Sequence, residues 1–122
     1  PGFIQRAGIV AVEQGEPVIA HTVDRFRVAR DHLVAGLNAL PGFRVLPAAG
    51  TFYAWCDVSG AIKNLDLADD HEFAEFLLDK AMVAGVPGTG FGAPGHIRFS
   101  FAVSPQTLEK ALERMGKALA GA

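Results

Sequence analysis

Cysteine is nearly absent: Cys56 is the only one in 122 residues. A single thiol excludes an internal disulfide framework and a cysteine-based zinc site, and it fits a reduced cytoplasm. Charge is never concentrated. Eleven Lys and Arg against thirteen Asp and Glu give a formal net charge of −2. There is no basic stripe for a phosphate backbone and no charged tail, so nucleic acid is not an expected partner. No apolar run approaches the length that crosses a bilayer, and the N-terminus lacks the basic-then-apolar pattern of a signal peptide, so no membrane partner is expected either. Internal repeats and low-complexity segments are missing. Methionine does not open the chain, which begins at Pro1 and is expected to be a fragment or processed product.

What is present is an ordinary globular mixture, half hydrophobic and one fifth charged, long enough for one domain with a real core. Phe3, Ile4, Ala7, Val10 and Ala11 predict a helix over 3–14, broken at Gly15-Glu16-Pro17, whose apolar content suggests packing on something outside the chain. A longer helix is predicted from Pro17 to Leu40, with Ile19, Val23, Phe26, Leu33, Leu37 and Leu40 as its packing stripe, stopped by Pro41-Gly42. Residues 43–46 and 51–58 read as strands that pair antiparallel. A polar connection over 59–70 leads to a helix over 71–82, carrying Phe73, Phe76, Leu77 and Met82 and capped by Asp69 or Asp70. A short buried strand over 83–86 ends at Pro87-Gly88. A Gly-rich loop over 88–95 follows, then a strand over 95–102. Ser104-Pro105 opens a last helix with Leu108, Ala111, Leu112, Met115 and Leu119 inward. The expected architecture is α+β in two layers: a small, mostly antiparallel sheet with helices on one face, and residues 1–40 as a helical lead-in to an α+β core over 41–122.

Most motifs in this chain dissolve on inspection. Gly90-Phe91-Gly92-Ala93-Pro94-Gly95 matches a dinucleotide fingerprint in letters only, because a strand rather than a helix follows and Pro94 removes an amide. His21, His32, His71 and His96 show no ligand spacing, so no metal is expected. Cys56 lies in an apolar strand and reads as a buried, inert thiol. Ser59, Ser100 and Ser104 lack the nucleophile-elbow pattern. Thr51, Tyr53 and Trp55 alternate on one strand face and suit an aromatic core and a pocket wall equally.

Arg98 is the exception. Alternation places Ile97, Phe99 and Phe101 on one face of its strand and His96, Arg98, Ser100 and Ala102 on the other. A guanidinium offers a rigid fork of donors that matches a planar carboxylate or phosphate. Taken alone, such an arginine is more often a surface residue or the partner of an internal carboxylate. His96, two residues away on the same face, reads as an exposed strand-end histidine.

Three segments change that balance together: Pro47-Ala48-Ala49-Gly50-Thr51-Phe52-Tyr53-Ala54-Trp55, Val86-Pro87-Gly88-x-x-Phe91-Gly92, and Ile97-Arg98-Phe99-Ser100-Phe101-Ala102. Their order and spacing resemble the C-terminal small domain of fold type I pyridoxal-phosphate-dependent aminotransferases, in the class that includes aspartate and aromatic aminotransferases. The Leu40-Pro41-Gly42 helix end and the terminal helix extend the resemblance over nearly the whole chain. It implies that Arg98 binds the α-carboxylate of an amino-acid substrate, with Gly50, Thr51 and Tyr53 and the loop from Pro87 to Gly92 on the pocket rim. It also implies pyridoxal 5'-phosphate in the intact parent, amino acids and 2-oxo acids as substrates, a homodimer, and a missing large domain. The family's Schiff-base lysine follows a serine upstream of this region. Lys63, Lys80, Lys110 and Lys117 do not match it, so this chain alone is expected neither to transaminate nor to hold the cofactor. Two other readings remain: a free-standing carboxylate-binding or interaction domain, and the small domain of a pyridoxal-phosphate-dependent lyase.

Overall fold

A computed structural model describes residues 1–122. The chain runs α1 (Gly2–Gln14), α2 (Glu16–Asn38), β1 (Arg44–Val45), β2 (Tyr53–Asp57), α3 (Ser59–Asn64), α4 (Asp70–Ala81), β3 (Val86–Pro87), β4 (His96–Ser100) and α5 (Pro105–Ala120). The four strands form one antiparallel sheet in the order β1-β2-β4-β3. Helices cover one of its faces, the α+β arrangement that the sequence predicts.

Alternation builds the two faces. Val45, Ala54, Cys56, Ile97 and Phe99 point into the helical layer, where they meet Leu33 and Leu37 of α2, Phe73, Leu77 and Ala81 of α4, and Leu108 and Met115 of α5. Phe73 and Phe101 are all but fully buried, each contributing on the order of 2–3 kcal/mol relative to an exposed side chain. Asn38 pins α2 to β1 from both sides: its amide donates to the Val45 carbonyl and its carbonyl accepts from the Val45 amide, each at 2.9 Å.

Several boundaries differ from expectation. The strands over 43–46 and 51–58 shrink to 44–45 and 53–57. Thr51 leaves the strand altogether, with φ at 67°, so it does not share the face of Tyr53 and Trp55. The polar connection over 59–70 contains α3, with the Asp57 carboxylate accepting from the Ser59 amide and hydroxyl at its start. The strand expected over 83–86 lies instead at Val86–Pro87, opposite Arg98 and Ile97. Proline is tolerated there because β3 is the sheet edge. Within the Gly-rich loop, Gly88–Phe91 forms one 3₁₀ turn.

The helix stripes are also less continuous than their periodicity. Ile19 and Val23 stay exposed, because the core reaches only the second half of α2. Met82 swings outward because it occupies a left-handed position after α4. Helix α1 buries nothing, and Phe3, Ile4, Ile9, Val10 and Val12 are all exposed. No helix is long and apolar enough to cross a membrane.

Candidate substrate-binding site

The second face of the sheet carries no helix. Across it lie Tyr53, Trp55 and Asp57 of β2 and His96, Arg98 and Ser100 of β4, with Trp55 directly opposite Arg98. The Arg98 guanidinium carbon sits 4.3 Å from the centre of the Tyr53 ring and 4.8 Å from that of Phe91. Both contacts are of cation–π type. The two rings confine the side chain, yet no carboxylate of this chain forms an ion pair with it. Its buried Nε has no hydrogen-bond partner. That excludes the internal-carboxylate reading of Arg98. It leaves a half-buried, charged donor fork presented on an otherwise aromatic surface.

The rings continue on both sides. Trp55 stacks on His96 with centroids 5.6 Å apart and meets Phe91 edge-on at 5.7 Å. Tyr53 packs at 4.3 Å against Phe52, which stacks on Phe26 of α2 at 6.3 Å. Tyr53 and Trp55 thus belong to the open face rather than the core. His96 is half-buried, its Nδ1 within 3.0 Å of the Pro94 carbonyl, which orients the ring.

Gly50 and Thr51 lie at the end of the segment that enters β2. Arg30 of α2 steadies this segment by donating to the Ala48 carbonyl at 3.0 Å. Gly50 and Thr51 are exposed and are near Tyr53 in sequence, but no hydrogen bond joins either to the Arg98 side chain. The residues that close on Arg98 are Tyr53 and Phe91. The resemblance places the loop over 87–92 on the pocket rim without singling out Phe91, which stands seven residues before Arg98 and is the loop's aromatic residue.

Two carboxylates near the face are structural. Asp57 is held below the usual carboxylate range by the Ser59 hydroxyl first, outweighing its partial burial, with help from the Ser59 amide and Arg44. Asp70 is fully buried. Burial pushes its carboxyl up, but the Thr89 hydroxyl and the amides of Thr89, Asp70 and Gly95 together bring it below the ordinary value. Cys56 lies on the buried face, and burial pushes its thiol up to about 12, so it is no nucleophile. All four lysines, Lys63, Lys80, Lys110 and Lys117, are exposed on α3, α4 and α5. None lies on the strands that carry Tyr53 and Arg98.

The two-layer α+β unit thus presents an aromatic-flanked arginine with no ion-pair partner on the helix-free face of its sheet. Residues 3–115 match the family described as aminotransferase class I and II, and the chain belongs to that family. It is 38% identical over 113 residues to the aspartate aminotransferase of Bacillus sp. (strain YM-2), covering 93% of this chain and 29% of that protein. With the aspartate/prephenate aminotransferase of Nitrosomonas europaea it shares 34% over 121 residues, 94% of this chain and 30% of the other. The aspartate aminotransferase structure from Rhizobium meliloti superposes with a TM-score of 0.86 at 32% identity, over 95% of this chain and 30% of that one. The chain thus spans about three tenths of the length of these relatives.

Proposed function

We propose that these 122 residues form the C-terminal small domain of a pyridoxal-phosphate-dependent aminotransferase, and that Arg98 binds the α-carboxylate of its amino-acid substrate. The observation that carries this reading is the Arg98 guanidinium itself, held between Tyr53 and Phe91 with no carboxylate partner of its own. Burying part of a charge without a partner is costly, and a planar anion delivered to the site offsets that cost through two parallel charge-assisted hydrogen bonds. Gly50, Thr51 and Tyr53 form the rim on the β2 side. The Thermus thermophilus aspartate aminotransferase, which superposes on this chain with a TM-score of 0.76 at 39% identity, was determined with maleate, a dicarboxylate. That supports a carboxylate as the ligand class.

In the intact protein, pyridoxal 5'-phosphate supplies the electron sink for moving an amino group between an amino acid and a 2-oxo acid. Its attachment is assigned to the rest of the parent, which also covers the exposed apolar residues of α1 and the first half of α2. The parent is read as a cytoplasmic homodimer, a compartment with which the single buried free thiol agrees. On this reading the chain by itself orients substrate and converts nothing.

The test is made in the full-length protein. Each lost charge-assisted bond is worth about 1.5–3 kcal/mol, so Arg98→Ala is expected to lower kcat/KM by roughly 10²-fold or more while cofactor affinity stays the same. Arg98→Lys keeps charge without the fork and recovers only part. An unchanged specificity constant in Arg98→Ala would remove Arg98 from the site.

A further inference from the structure

Asp70 is the only charged residue that is fully buried, and no cation pairs with it. Nor does it cap α4, since the neighbouring Asp69 accepts from the amides of His71 and Glu72 at 2.9 and 3.0 Å. Both Asp70 side-chain oxygens accept instead from Thr89 of the Gly-rich loop, with the Gly95 amide at the loop's far end also favouring the charged form. Oδ2 accepts from the Thr89 amide at 2.8 Å and Oδ1 from the Thr89 hydroxyl at 2.6 Å. A carboxylate taken out of water and given two of its bonds by one threonine ties that threonine's position to the helical layer.

Thr89 lies in the turn Gly88–Phe91. The turn is tight: the Gly92 amide donates to the Thr89 carbonyl at 3.0 Å and the Ala93 amide to that of Gly88 at 3.1 Å. A Cβ on Gly88 would come within 2.3 Å of the Ala93 carbonyl oxygen. The turn is thus closed by its own backbone, and its side-chain bond to the helical layer is Asp70–Thr89. Two residues beyond Thr89 is Phe91, which is 55% exposed and so is not located by core packing. Its ring nevertheless flanks Arg98 and touches Trp55.

We propose that Asp70 and Thr89 are positioning residues: their paired hydrogen bonds hold the 88–91 turn so that Phe91 confines the Arg98 guanidinium in the orientation that receives a carboxylate. The inference rests on the reading of Arg98 as the carboxylate site.

Trp55 is the only tryptophan in the chain, so its near-ultraviolet circular dichroism and fluorescence report whether Phe91 is in place. In the 122-residue chain, Phe91→Ala defines the signal without the ring. Thr89→Val is expected to shift the Trp55 signal toward that of Phe91→Ala with the far-ultraviolet spectrum unchanged, and Thr89→Ser to retain the wild-type signal. Thr89→Ala serves the same purpose if valine does not pack. In the full-length protein, Thr89→Val should raise KM for the amino acid roughly tenfold with cofactor affinity unchanged and Thr89→Ser near wild type. A wild-type Trp55 signal or KM in Thr89→Val, or no rescue by serine, overturns the clamp. If Arg98→Ala leaves KM unchanged, it is the carboxylate reading that falls, and the Trp55 signal still decides whether the clamp places Phe91.

Discussion

Arg98 and Tyr53 face each other diagonally across β4 and β2, with the guanidinium carbon 4.3 Å from the ring centre. The ring leaves the edges of the guanidinium free, since a cation–π contact uses its face, and the edges carry the donors. Tyr53→Phe should therefore preserve substrate affinity. Tyr53→Leu should weaken it by about 1 kcal/mol, or roughly fivefold in KM of the full-length protein; equal behaviour of the two variants would deny the contact any role.

Gly42 is expected to resist replacement. Its φ is +80°, and a Cβ there would come within 2.2 Å of the Ala61 amide nitrogen, a backbone atom that cannot turn aside. Gly42→Ala should destabilise the chain by about 2 kcal/mol or more, read as a lowered urea midpoint with an unchanged slope.

Cys56 links stability to alkaline pH. Its thiol is pushed from 9.0 to about 12, by burial first. At neutral pH the group is protonated in both folded and unfolded chains and contributes no pH dependence. Above about pH 9 the unfolded thiol ionises while the folded one does not, so stability should fall as pH rises from about 9 toward 12. Cys56→Ala should flatten that slope in urea titrations. The native thiol should also react with a disulfide reagent at mildly alkaline pH far more slowly than the unfolded one.

Asp57 gives the opposite sign. Its folded carboxyl lies below the ordinary 3.8, chiefly through the Ser59 hydroxyl. The stability this contributes is complete above the unfolded value and is lost as pH falls through the depressed folded one. Ser59→Ala should shrink the loss of stability between neutral pH and about pH 2 without changing the alkaline limb.

The adjacent aspartates Asp69 and Asp70 show where local pattern stops. Helix capping chemistry requires an oxygen ahead of α4, and either residue qualifies by sequence. Only the packed structure separates them, because Asp70 is turned inward toward a threonine nineteen positions away and Asp69 is left to cap. Pro87 is similar: proline ordinarily ends a strand, and its place on β3 depends on that strand lying at the sheet edge. Helix α3 carries no capping residue at its N-cap, Val58; the oxygen that meets its first amide comes from Asp57, the last residue of β2, so local pattern does not announce it.

The sequence by itself determined where the four longer helices lie, the alternation that turns Ile97 and Phe99 inward and Arg98 outward, and the family to which the chain belongs. These depend on neighbours a few positions apart and on motif order, both of which survive in one dimension. Tertiary structure alone decided that Arg98 has no carboxylate partner, that Tyr53 and Phe91 flank it, and that Asp70 reaches Thr89. Each is a contact between residues far apart in the chain, set by how the sheet and helices pack and not by any local preference.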